Sequence, residues 1–420
     1  MGWFIGRLYL SARGLPFIAA LFWCTAGTLG GDAPPTQTPQ KLVAFPGAEG
    51  FGALATGGRG GTVYHVTNLS DQGPGSFRDA VSAGPRIVVF DVGGYIDLAS
   101  ELHIASDITI AGQTAPGEGI CTRNYTVSLS GSHNVIARYF RVRQGLTLKQ
   151  DKKTALGLHQ STNVIVDHVS IEWGRWDCIG FTESKDVTLQ YCLIGQGIDP
   201  QRFGCLCESD NVTFSHNLWI DNQSRNPKSK GTVQYINNVV YNWGVQGYVG
   251  GHSGAPHNAD VIGNYFISGP SSSGTFAGEF TDTDHIYQSD NYADIDRDGQ
   301  LNGKPALPAD FPKATIVPAP TMTSPVPVTV DSASDAYHKV VGDAGDALHR
   351  DAIDRRLIGQ IESLGKDGAI IHDPAEMGGF GQIKGGPVPN IPVADPTRLA
   401  PSGYTALEEY LDTLTTSGKR

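Results

Sequence analysis

Arg225, Lys228 and Lys230 crowd into the end of Asn211–Lys230, NVTFSHNLWIDNQSRNPKSK, where a short β-type run meets a polar turn. Cations this close together can hold an anion, or steady a negative charge that develops during a reaction. The rest of the chain makes the cluster stand out, because 31 Lys and Arg face 42 Asp and Glu, for a formal net charge of −11. A balance this acidic argues against nucleic acid, whose phosphates require a broad basic footprint. A polyanionic substrate would have to be held by this local cluster or by a bound cation.

The elements that must position the cluster are short strands. With 420 residues, Gly 53, Pro 25 and Met only 3, and with strong helix formers sparse before the last eighty residues, the composition predicts a turn-rich, all-β protein. A polar residue followed by a β-type triplet recurs as Asp107-Ile-Thr-Ile, Asn134-Val-Ile-Ala, Asn163-Val-Ile-Val, Asp186-Val-Thr-Leu, Asn211-Val-Thr-Phe, Thr232-Val-Gln-Tyr and Asp260-Val-Ile-Gly. The steps are 27, 29, 23, 25, 21 and 28 residues. Short strands repeating at such a period, without a regular helix between them, predict a parallel β-helix whose coils bury their inner faces by stacking. The motif Gly50-Phe51-Gly52-Ala53-Leu54-Ala55 matches a dinucleotide fingerprint, but Thr56-Gly57-Gly58 follows where a helix is required, which excludes that reading.

Residues 1–31 carry Arg7 and Arg13 ahead of the apolar run Leu15–Trp23 and the small residues Thr25-Ala26-Gly27. The run is too short to span a bilayer and reads as a secretory signal peptide, followed by a Pro/Thr linker over 32–40. Its removal leaves 29 basic and 42 acidic side chains, a net charge of −13. The expectation is a secreted monomer with no membrane contact after cleavage. The five remaining cysteines, Cys121, Cys178, Cys192, Cys205 and Cys207, predict one or two disulfides in an oxidising compartment. Asn68, Asn124, Asn211 and Asn222 head glycosylation sequons. The repeat places the β-helix at 41–300, opened by a short capping helix over Ser76–Val81. Residues 301–420 form an irregular extension with helical spacing at Asp346–Leu364 and a terminal helix at Tyr404–Leu411.

The segments FPGAEGFGALATGGRGG (45–61), RYFRVR (138–143), NVIVDHVSIEWGRWD (163–177), SHNLWIDNQSRNPK (215–228) and NYADIDRDGQLNG (291–303) together resemble the pectate lyases of the pectate lyase C type. The resemblance implies a right-handed parallel β-helix and calcium-assisted β-elimination of α-1,4-linked galacturonan. It implies Arg225, in its Arg-x-Pro turn, as base or charge clamp at the reacting carbon. Lys228, Lys230 and Arg202 would bind the acidic polysaccharide. It implies Ca²⁺ held by Asp151 and by Asp177, which keeps a carboxylate while Trp176 stands where the family has an acid. Asp294, Asp296 and Asp298, with Gly299, fit the first half of a structural calcium loop.

The residues explain why such chemistry would want cations. Taking the proton from C5, alpha to a carboxylate, builds enolate-like charge that positive groups stabilise. An arginine base needs an alkaline medium or a strongly cationic site, whereas an arginine clamp needs neither. Asp167-His168 resembles a buried structural pair, and Arg138, Arg141 and Arg143 are expected to pair with acids. Two other functions remain open. One is a polygalacturonase-like hydrolase, whose paired acids are not present in order and whose Gly-His-Gly is only imitated by Gly251-His252-Ser253-Gly254. The other is a carbohydrate-binding β-helix without catalysis.

Overall fold

The computed structural model describes residues 42–146 and 153–416. The expectations for 1–31 and 32–40, and Asp151, fall outside the described residues. The repeat builds a parallel β-helix of one large sheet and a second ten-stranded sheet. The only antiparallel strand pair joins Tyr292–Asp294 to Lys304–Pro305, among the described residues. Register is regular from coil to coil: Val135 pairs with Val164, Val164 with Val187, Val187 with Val212 and Val212 with Val233. Each of these valines is buried in the central core.

The polar residue opening each repeat has a physical job. Asp107, Asn134, Asn163, Asp186 and Asn211 all turn the chain with φ between 54° and 60°, the left-handed region that Asn and Asp tolerate best among side-chain-bearing residues. Their side chains also join coils, with Asn134 Nδ2 donating to Asp107 Oδ1 at 3.0 Å and Asn211 Nδ2 to Asp186 Oδ1 at 2.8 Å. The last two repeats differ: Gly231 takes the positive φ just before Thr232, and Asp260 lies inside the strand His257–Ile262, in register with Gln234 and not with the turn residues. Inside the coils a second ladder escaped the sequence reading. The Asn217 backbone N–H donates to Asn238 Oδ1 at 3.1 Å, that of Asn238 to Asn264 Oδ1 at 2.8 Å, and that of Asn264 to Asn291 Oδ1 at 3.1 Å.

The capping helix α1 is Phe77–Ala80, with Ser76 as its N-cap, and Phe77 packs 5.2 Å from Phe90 at this end of the core. The Gly-rich segment 45–61 is a strap across the coils. Gly52 donates its N–H to Thr188 Oγ1 at 2.9 Å, and a Cβ there would stand 2.1 Å from the Val164 carbonyl oxygen. That close backbone approach, and not phosphate binding, is what the glycine serves.

Beyond the coils, α2 (Ala333–Asp343) and α3 (Ala352–Glu362) cover the second sheet with Val340, Leu357 and Ile361 against Leu218, Ile220, Val239 and Tyr241. The expected helix at Asp346–Leu364 starts later, because Asp351 caps α3 by accepting from the Ile353 and Asp354 N–H groups. The last helix, α4 (Ala406–Thr416), sets Leu407 and Leu411 on Ile87, Val89 and Ala111.

Arg141 and Arg143 are fully buried and paired, as expected. Arg141 meets Asp354 at 2.7 Å and Asp346 at 3.1 Å. Arg143 meets Glu172 at 3.0 Å and Asp354 at 3.1 Å, and also binds Asp351. The disulfide expectation is corrected. Cys121, Cys178, Cys192, Cys205 and Cys207 are all free and buried, filling the core as small apolar groups with thiols pushed up by desolvation. The sequon at Asn222 is corrected too, since its amide is buried and donates to Ile194 O and Asn226 Oδ1, both at 3.0 Å. Among the described residues no helix is long and apolar enough to cross a membrane.

Candidate active site

The basic turn is built by its own backbone. Arg225 sits at φ 61°, its carbonyl accepts from Cys205 N–H at 2.7 Å, and Asn226 donates its N–H to Gly247 O at 3.0 Å. The Tyr235 hydroxyl, inside the coil, donates to Asn226 O at 2.9 Å. The neighbouring coil supplies Gly204, where a Cβ would meet Arg225 O at 2.5 Å. The turn therefore presses directly on the coil before it, and its side chains are aimed by the stack.

The guanidinium of Arg225 points at the preceding coils. Its Nη1 lies 3.2 Å from Asp177 Oδ1 and 3.3 Å from Oδ2, and its Cζ stands 4.2 Å from the centre of the Phe203 ring. Asp177 is buried at the start of the strand Asp177–Gln190 and pairs in register with Phe203. Burial pushes its carboxyl up to about 6, against the pull of Arg225 and Lys228.

Lys228 and Lys230 follow on the strand Lys228–Ile236. In parallel register Lys228 lies beside Leu206 and Lys230 beside Glu208, so both project from one face. Lys230 is ion-paired with Glu208. Lys228 is largely buried, with Nζ 2.9 Å from His252 Nδ1 and 3.7 Å from Glu279 Oε2. His252 Nδ1 is in turn 3.2 Å from Glu279 Oε2. Burial, then the nearby positive charge of Arg225 and Lys230, lowers the Lys228 ammonium pKa, against the pull of Glu279.

Four expected residues are thus brought together: Arg225, Lys228, Lys230 and Asp177. Arg202 is engaged elsewhere, 3.5 Å from Asp199 and 3.2 Å from a ring nitrogen of His372. The turn at 294–299 folds on its own amides. Asp294 accepts from Asn302 N–H at 3.2 Å, Asp296 from Asp298 N–H at 3.1 Å, and Asp298 from Gln300 N–H at 2.8 Å. Sequence reasoning missed Phe203 and Glu279, and found His252 only as part of an imperfect motif. These residues come from other coils, and nothing in their local sequence signals the contact. Asp167 and His168 form the expected buried pair at 2.9 Å. Burial works against the charge on Asp167, yet His168 and Arg138 hold its carboxyl well below the usual range. His168 also stacks between Tyr139 and Tyr191 at 4.6 and 5.0 Å.

Calcium takes six to eight oxygens, several of them charged. Asp177 offers one carboxylate whose oxygens already face Arg225. Among the described residues no group of three or more His, Cys, Asp or Glu is placed to hold a metal ion. The described donor set does not by itself fit a calcium ion, at Asp177 or at Asp294, Asp296 and Asp298.

The chain is 43% identical over 399 residues to a probable pectate lyase C of Aspergillus flavus, covering 90% of this chain and 95% of that protein. A probable pectate lyase C of Aspergillus fumigatus is 41% identical over 404 residues, with 91% and 96% covered. A probable pectate lyase A of Neosartorya fischeri is 26% identical over 355 residues, with 80% and 99% covered. No family model matches the chain. Among solved structures, the major allergen of cedar pollen aligns with a TM-score of 0.53 at 18% identity over 71% of this chain and 92% of that one. A thermostable pectate lyase aligns with a TM-score of 0.52 at 13% identity over 74% and 99%. These two speak for the fold. Relatives above 40% identity that span nine-tenths of the chain decide its kinship: the protein belongs to the pectate lyase family.

Proposed function

We propose that the protein is a secreted polysaccharide lyase that cleaves pectate, a chain of galacturonate, by β-elimination. The observation that carries this reading is the cationic edge of Arg225, Lys228 and Lys230 on stacked coils, in a protein whose overall charge is −11. Family membership supplies the reaction class, and the edge supplies what that reaction needs from side chains. Arg225, held against Asp177 and the Phe203 ring, acts as the clamp on the substrate carboxylate next to the reacting carbon. A planar guanidinium suits this role because it can donate two parallel hydrogen bonds. Lys228 and Lys230 add positive charge where the enolate-like charge grows. Calcium, which the resemblance implies, would add more; the described residues do not make its site, and the elimination steps assigned to these side chains do not pass through it.

The test is incubation with polygalacturonate. A rise in the ultraviolet absorbance of a 4,5-unsaturated product supports the lyase. New reducing ends without that absorbance would support a hydrolase, and no product from any uronan would leave a binding protein. A panel of pectate, methylated pectin, alginate and glucuronan then fixes the substrate.

A further inference from the structure

A second constellation lies away from the cationic edge. Tyr139, His168, Tyr191 and His216 turn four successive coils, each with φ between 50° and 56°. Their rings form one column, with centres 4.6, 5.0 and 4.8 Å apart and planes within 16° of parallel. Leu218–Ile220, the second-sheet strand of its coil, separates His216 from the Arg225 turn. The column lines a cavity of about 370 Å³, walled also by Phe45 and Pro46 of the strap, by Lys339 of α2 and by Asp412 of α4.

Stacking explains the rings but not their polar ends. Tyr139 is 3% exposed, yet its hydroxyl has no hydrogen-bond partner among the described residues, and burial keeps the phenol protonated. A phenylalanine would fill the same place in the column without the desolvation cost of an unpaired hydroxyl. Tyr191 repeats the pattern in part-exposed form. His168, itself buried, turns Nδ1 to Asp167 at 2.9 Å and leaves Nε2 without a partner among the described residues. Across the cavity, the Asp412 carboxylate accepts no hydrogen bond and forms no ion pair among the described residues, and burial raises its pKa against the pull of Arg138.

The charges of the cavity select against an acid. Glu49, Asp167, Asp331 and Asp412 are set against only Arg138 and Lys339. Asp167 already holds Arg138 at 2.7 Å, and Asp331 holds Lys339 at 2.7 Å, so neither cation is left for a ligand carboxylate. Unpaired hydroxyls, an imidazole nitrogen and a carboxylate beside apolar Phe45 and Pro46 suit a neutral polyhydroxylated ring. Its hydroxyls can donate to Asp412 and exchange hydrogen bonds with the tyrosines, while its C–H face lies on the apolar wall. The volume is in the range that holds small ligands, roughly 300–1,000 Å³. We propose that this cavity binds one neutral sugar unit, at a place separate from the edge that takes galacturonate.

The experiment is ligand-observed saturation-transfer NMR with calorimetry on the full chain. D-glucose, D-galactose, D-xylose and L-arabinose are the neutral probes, and D-galacturonate and D-galactosamine the charged ones. At least one neutral sugar should bind with a dissociation constant of about 1–10 mM, the range for a ligand of about a dozen heavy atoms, and galacturonate should not displace it. Tyr139→Phe keeps the ring in the column and should weaken that sugar about 3- to 10-fold, and Asp412→Ala about 10- to 100-fold, with thermal melts showing that both variants fold. No turnover enters these measurements, so their outcome is independent of the lyase reading. Binding that both variants leave unchanged, displacement by galacturonate, tighter binding of galactosamine than of any neutral sugar, or no neutral sugar bound at about 100 mM overturns the inference.

Discussion

Asp177 and Arg225 stand 48 residues apart in sequence and 3.2 Å apart in space. The carboxylate is buried, the guanidinium is only part-covered, and the Phe203 ring closes the other side. An exposed ion pair contributes little, but a buried acid must be compensated or it loses its charge. Asp177 therefore fixes the direction of Arg225, and Arg225 keeps Asp177 able to ionise. The pair gives the turn a rigid cation, while Lys228 and Lys230 face different partners.

Replacing Arg225 tests the clamp. Arg225→Ala should abolish detectable formation of the unsaturated product. Arg225→Lys should keep the charge but lose the planar fork and the ring contact, lowering kcat by about 10²- to 10³-fold, the cost typical of removing one donor to a developing anion. Initial rates on polygalacturonate check both, and wild-type rates in Arg225→Lys would remove Arg225 from the reaction.

The buried Asp177 makes a pH prediction. Burial raises its carboxyl in the folded protein to about 6, above the ordinary aspartate value of 3.8. Folding therefore takes up a proton between those values, and this contribution to stability is full below about pH 4 and is lost as pH rises through about 6. The swing is about 3 kcal/mol. Asp177→Asn should flatten that part of the pH dependence, measured as urea unfolding midpoints from pH 4 to 7. It should also lower kcat by releasing Arg225. A variant whose stability keeps the wild-type slope would show that other groups set it.

How much of this was legible in the sequence depends on how local each feature is. The coil repeat was readable because one polar residue per turn must adopt the left-handed backbone, and Asn or Asp does so cheaply. The basic turn was readable because its three cations are neighbours in sequence. His252 and Glu279 were not, because they reach Lys228 only by stacking of later coils. The asparagine ladder, Asn217 through Asn291, was hidden for the same reason. The cysteines misled because a secreted context suggests oxidation, while the coil interior uses a thiol as a small apolar filler.

Metal removal separates side-chain charge from bound cations. With Arg225, Lys228 and Lys230 on one edge, and no described carboxylate group fit for calcium, chelation should lower the rate by less than about tenfold, or about 1.4 kcal/mol. The check is activity after exhaustive dialysis against a calcium chelator, with and without calcium returned. Complete loss that calcium restores would place its ligands in residues outside those described, with Asp151 the first to replace.

The buried ion cluster makes the last prediction. Asp354 accepts from Arg141 at 2.7 Å and from Arg143 at 3.1 Å, and it stands on the first turn of α3. Both arginines come from one strand of the second sheet, Arg141–Arg143, so this carboxylate is a main tie between the C-terminal helices and the coils. Asp354→Ala leaves two buried guanidinium groups short of a partner. Such a loss costs about 3–5 kcal/mol, far more than the few tenths expected from removing one surface charge. The urea midpoint should fall accordingly. A joint replacement of Arg141, Arg143 and Asp354 by apolar residues of similar size should recover part of the loss, because the cost lies in the unpaired charge and not in the missing bond. If Asp354→Ala unfolds at the wild-type midpoint, the helices are held by Leu357 and Ile361 packing on the second sheet, and the ion cluster contributes only to their orientation.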